Sequence, residues 1–156
     1  MALAYVARFA TSRGKLVRYL DRKVRERGWA GTADGRAAAQ AAADRMTELS
    51  YVDDAAYASS RARTFAARGL GPRRLAADLS AAGVGQADRD EAASALDAAA
   101  AALRFAEKRR LGPFALEAAD PKQREKQMGA MLRAGHGMDH VRQILACKPG
   151  EMPDFS

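Results

Sequence analysis

The chain holds a single cysteine, Cys147, in 156 residues, so no disulfide can form within it and a reducing compartment suits it. Strand-forming residues are scarce as well, with one isoleucine, six valines and four threonines, and that shortage argues against a sheet. Aromatic bulk is thin at five Phe, four Tyr and one Trp. Long apolar runs are missing too. The one apolar stretch near the start is broken by Arg8 and falls short of a membrane span or signal segment. No membrane partner is expected, and the expected compartment is the cytoplasm.

What the chain does have is alanine, which supplies 38 of its 75 hydrophobic residues. Alanine favours helix strongly but buries little surface, so many helices around several thin cores are expected rather than one thick core. The other surplus is positive charge. Lys and Arg number 26 against 19 Asp and Glu, a formal net charge of +7, which points to an acidic partner, either nucleic acid or a protein assembly that carries it.

The apolar spacing predicts successive helices. A short one from about Ala2 to Ala10 precedes a helix capped by Ser12 that carries Leu16, Val17, Leu20 and Val24 and ends at Gly28. A break over 31–35 leads to a helix of about 36–49. Asp53 and Asp54 then suit a helix start, where carboxylates accept free N–H groups, and that helix stops at Gly69. Gly71-Pro72 opens the next, with Leu75 and Leu79, closing at Gly83. A further helix of about 87–95 has the Ala-rich stretch 98–102 as a possible continuous join to the one reaching Arg110. Asp120-Pro121 opens a helix with Met128, Met131 and Leu132 that ends near Gly135, and a last helix of about 138–146 carries Val141, Ile144 and Leu145.

Three middle helices therefore end on glycine at 28, 83 and 135, with Val24, Leu79 and Met131 each four positions earlier. The expected fold is all-α: three tandem three-helix repeats over 1–52, 53–97 and 98–147, forming an elongated, curved array, followed by a flexible tail at 148–156. Gln127 breaks the register of the third copy.

On a helical projection Lys15, Arg18, Arg22 and Arg25 share one face opposite Leu20 and Val24. Lys122, Lys126 and Arg133 line up opposite Met128 and Met131, and Arg73 and Arg74 form a thinner version. A recurrent basic stripe is the footprint of polyanion binding; an ordinary solvated face is the alternative. Tyr57 and Phe65, two turns apart, read as core residues. Trp29 suits either a contact back on its own helix or a partner surface.

Catalytic chemistry is missing. No phosphate-binding loop is present, since Gly14-Lys15 lies inside a helix pattern. Asp53 and Asp54 have no base, nucleophile or metal nearby. His136, His140 and Cys147 have zinc-ligand chemistry, but Gly135 and Gly137 place His136 outside the helix and no fourth ligand is evident. No enzyme activity, metal or cofactor is expected.

Several segments resemble the RecX family of regulatory proteins. Ser12-Arg13-Gly14-Lys15-Leu16 with Gly28 is similar to its first motif. Tyr51-Val52-Asp53-Asp54-Ala55-Ala56-Tyr57 is similar to its most recognisable segment. Gly69-Leu70-Gly71-Pro72-Arg73-Arg74-Leu75 through Leu79 and Gly83 is similar to the next, and Leu132 to His136 with Val141 to Leu145 to the closing one. The sequence departs from the pattern at Asp78, where Glu is common, and at His136, which stands in place of an aromatic residue. The resemblance implies a negative regulator that binds the filament of RecA on single-stranded DNA. It would inhibit recombinase, ATPase and coprotease activity, and so modulate DNA repair and the SOS response. It implies structural roles for Asp53, Asp54, Tyr57, Gly69, Gly71, Leu75, Leu79 and Gly83. The expected partners are RecA and its filament, with weak direct binding to single- or double-stranded DNA, by a monomer. A sequence-independent DNA-binding module acting without RecA is the alternative.

Overall fold

The computed structural model describes residues 1–31 and 34–155; residues 32 and 33 of the expected 31–35 break, and residue 156 of the expected tail, lie outside the described residues. Among the described residues the chain is all-α. The helices are α1 (Ala2–Val6), α2 (Arg13–Arg27), α3 (Gly35–Glu48), α4 (Asp54–Arg68), α5 (Pro72–Ala81), α6 (Gln86–Ala95), α7 (Ala98–Arg109), α8 (Pro121–Arg133) and α9 (Met138–Ala146), with a 3₁₀ turn at Gly112–Phe114. One expected join is absent. Asp97 caps α7, its carboxylate accepting the Ala100 N–H at 2.9 Å, so α6 and α7 are separate helices. The Asp before the alanine run is the signal for that boundary.

The chain divides into two compact units. One comprises Met1–Ser59 with Leu79–Arg89, the other Ser60–Asp78 with Asp90–Ser156. The division runs through α4, α5 and α6.

In the first unit α2 buries Leu16 and Leu20 with Ala39 and Ala43 of α3 and with Val52. Alanine on α3 lets the two helices approach closely, and the buried large side chains between them, Leu16 and Leu20, come from α2. Tyr5 of α1 closes this core by stacking on Tyr19, ring centroids 4.0 Å apart. The start of α2 is capped twice. Ser12 Oγ accepts the Lys15 N–H at 3.2 Å, and the Asp54 carboxylate accepts the Arg13 N–H at 2.8 Å. Asp53 meanwhile caps α4 through the Ala56 N–H at 2.9 Å. The paired aspartates thus serve two different helices.

The same α2 start sits on the end of α5. Ser12 Oγ donates to the Ala82 carbonyl at 2.5 Å and Arg18 to the Ala81 carbonyl at 2.7 Å. Gly14 makes room for this, since a Cβ there would lie 2.7 Å from the Ala82 oxygen and 2.8 Å from the Gly83 Cα.

The second unit has its own core of Ala102, Phe105 and Ala106 from α7, Met131 and Ala134 at α8, Val141, Ile144 and Leu145 from α9, and Leu111. Here too the start of one middle helix sits on the end of another. The Gly71 N–H donates to the Ala134 carbonyl at 2.9 Å, and the Arg73 N–H to the Gly135 carbonyl at 3.2 Å. Helix starts leave N–H groups unpaired and helix ends leave carbonyls unpaired, so each terminus satisfies the other. A Cβ at Gly71 would collide with the Gly135 carbonyl. The segment expected as a flexible tail carries no helix; Gly150 N–H donates to the Pro113 carbonyl at 2.8 Å, and Phe155 meets His140 edge-on at 5.2 Å between centroids.

Candidate anion-binding cavity

The basic residues predicted from the sequence fall into different settings. Those of α2 are exposed but largely engaged. Lys15 Nζ donates to the Tyr57 hydroxyl at 3.1 Å, which fixes the buried Tyr57 against α2. Arg18 is held by the Ala81 carbonyl. Arg25 pairs with Asp21, and Arg22 lies 3.7 Å from Glu26. Such exposed pairs contribute little stability, yet they offset part of the positive charge. On the same helix Arg13 pairs with Asp44 at 2.5 Å, and the hydrogen bond from Arg13 holds the Asp44 carboxyl below its ordinary range.

On α8, Lys122 and Lys126 are exposed. Lys126 borders an open depression of about 460 Å³ beside Arg110 and the loop at Leu116. Arg73 is exposed as well, anchored through its backbone N–H.

Arg74 and Arg133 are brought together. With Arg109, which lay outside the helices projected from the sequence, they wall a cavity of about 290 Å³ floored by Leu70, Ala130 and Ala134 and edged by Phe105. The three arginines come from α5, α7 and α8. The Arg109 guanidinium lies 5.5 Å from the Phe105 ring centroid, a cation–π contact across one helical turn. The Phe105-to-Arg109 spacing on α7 was the signal for the missed residue.

Beside Phe105 lies His136, only 1% exposed. Its Nε2 faces the Gly69 carbonyl at 3.1 Å, so Nε2 carries the proton and donates. Nδ1 is buried without a partner. Burial pushes its pKa below the ordinary value, more than the Gly69 hydrogen bond raises it, and His140 lowers it further. The ring meets Phe105 edge-on with centroids 5.4 Å apart. This neutral histidine therefore packs as an aromatic residue would and adds one hydrogen bond.

The other motif residues are structural. Leu75 and Leu79 are fully buried, and Gly69 and Gly83 hold φ of +74° and +76° at helix ends, where a side chain would be strained. A Cβ at Gly69 would also press on the α7 backbone, 2.8 Å from the Phe105 nitrogen. Trp29 is half-exposed, lining an apolar groove with Met1, Val24 and Ala42. Among the described residues no helix is long and apolar enough to cross a membrane.

A family model described as RecX, second three-helix domain, matches residues 53–92. The Regulatory protein RecX of Myxococcus xanthus (strain DK1622) is 30% identical over 159 residues, spanning 95% of this chain and 83% of that protein. The chain belongs to the RecX family. A crystal structure of regulatory protein RecX superposes with a TM-score of 0.67 at 18% identity, covering 91% of this chain and 66% of that one, which establishes the shared helical fold. The stretch matched to the RecX domain contains all eight structural motif residues from Asp53 to Gly83, together with Arg73 and Arg74. Arg109 and Arg133 lie beyond it.

Proposed function

We propose that this chain is a regulator, without catalysis of its own, that binds the RecA–single-stranded DNA filament in the cytoplasm. There it inhibits recombinase, ATPase and coprotease activity and so modulates DNA repair and the SOS response. Membership of a regulatory protein family supports the reading, and the resemblance of the 51–84 block and the closing motif supplies the partner. The binding body in this reading is the series of repeats at 1–52, 53–97 and 98–147. The observation that carries it is the convergence of Arg74, Arg109 and Arg133 on one cavity, with no ion-paired carboxylate among the described residues. Exposed cationic side chains lining one cavity suit an acidic partner.

The test is a strand-exchange and ATPase assay with purified RecA on single-stranded DNA. Inhibition at or below stoichiometric amounts is expected. Unchanged rates at a stoichiometric excess would remove the reading. The net charge of +7 favours one alternative, a sequence-independent DNA-binding module that needs no RecA. It requires tight binding to DNA alone.

A further inference from the structure

We infer that the cavity walled by Arg74, Arg109 and Arg133 is a socket for an acidic protein segment in which one apolar side chain is flanked by carboxylates. The inference rests on the regulatory reading for its biological setting and names the chemistry the partner must present.

Three features carry it. First, the walls are all cationic. Among the described residues none of the three guanidiniums has an ion pair or a hydrogen-bond acceptor, although guanidinium forks match carboxylates in paired, planar geometry. Second, the floor is aliphatic and offers no free aromatic face. Phe105 is 8% exposed, and Arg109 lies over its ring. A nucleobase would need such a face to stack on, whereas a leucine-like side chain needs only apolar surface. The volume of about 290 Å³ suits a side chain with its flanking acids, not a long backbone track.

Third, the position of one guanidinium is built at a cost to the fold. Gly129 stands inside α8, where glycine weakens a helix. Its vacant side is filled by Arg133: a Cβ at 129 would lie 3.1 Å from an Arg133 guanidinium nitrogen. Gly135, at φ +93°, admits the Arg74 backbone, since a Cβ there would collide with the Arg74 nitrogen.

The experiment measures fluorescence anisotropy of the full chain with dye-labelled probes at physiological salt. The first probe is a short peptide with a central leucine flanked on both sides by aspartate and glutamate. The second replaces the leucine with serine, and the third is a single-stranded oligonucleotide of equal charge. The leucine peptide should bind saturably. Arg109→Gln and Arg133→Gln should each weaken it by about tenfold or more, as loss of a charged hydrogen bond does. The serine peptide should be weaker by about tenfold, the worth of one buried leucine.

Arg36→Glu, at an exposed position of α3, should leave binding unchanged. Gly129→Ala should raise the thermal midpoint, because the Arg133 side chain can move aside, and yet weaken the peptide several-fold. Thermal melts of every variant separate binding loss from unfolding. Four results would each overturn the socket: no saturable peptide binding, equal weakening by Arg36→Glu, tighter binding of the oligonucleotide through the same arginines, or a dimer of the chain that the peptide dissolves. No recombinase is present in this assay, so its failure leaves the strand-exchange test standing, and the converse also holds.

Discussion

His136 takes the place of an aromatic residue and does two jobs at once, filling core space against Phe105 and donating to the Gly69 carbonyl. Its unpartnered Nδ1 makes protonation in the folded chain costly. The folded pKa lies below the ordinary 6.5, so the unfolded chain takes up this proton first as pH falls. Stability is therefore fully present above about pH 6.5 and declines below it, by up to about 1.4 kcal/mol per pH unit, until the folded histidine itself titrates. Urea unfolding at a series of pH values should show this decline, and His136→Phe should flatten it. A decline of the same slope in His136→Phe would assign it to other groups. The sequence marked position 136 as unusual; only burial and the Gly69 contact say what the change does.

At the scale of elements, one device occurs once in each unit: the start of a middle helix rests on the end of another. α2 meets the end of α5 through Ser12, Gly14 and Arg18, and α5 meets the end of α8 through Gly71 and Arg73. Glycine is needed at both places because backbone meets backbone. Gly14→Ala and Gly71→Ala are each expected to lower stability by about 1–3 kcal/mol, the ordinary penalty of overpacking, since neither neighbour is a side chain that can swing away. Chemical denaturation measures this, and an unchanged midpoint for Gly71→Ala would mean that the junction can open without cost. Gly129→Ala gives the internal contrast, because its only close neighbour is the mobile end of Arg133. The helices themselves were legible from capping and spacing: Ser12, Asp53, Asp120 and the glycines at 28, 83 and 135 mark real boundaries. The helix-to-helix junctions were not, because they join residues 62 to 70 positions apart.

For the molecule as a whole, the net charge of +7 sets a test that separates the two readings of function. A charged-surface DNA binder loses affinity steeply and log-linearly with salt. Association with the RecA filament, if it depends on the cavity, should retain more of its strength between low and physiological salt than binding to naked single-stranded DNA does. Titrations of both across that range check it, and equal slopes would favour the DNA module. Charge and composition are global properties, so the sequence by itself determined the helical class, most of the helix limits and, through its motifs, the family. Which arginines line one cavity was decided by tertiary structure alone. Arg74, Arg109 and Arg133 lie on three helices, and helical periodicity relates residues only within one helix. The same projection groups Lys15, Arg18, Arg22 and Arg25 on one face, but folding turns two of them to the Tyr57 hydroxyl and the Ala81 carbonyl. Packing supplies the partners that periodicity cannot see.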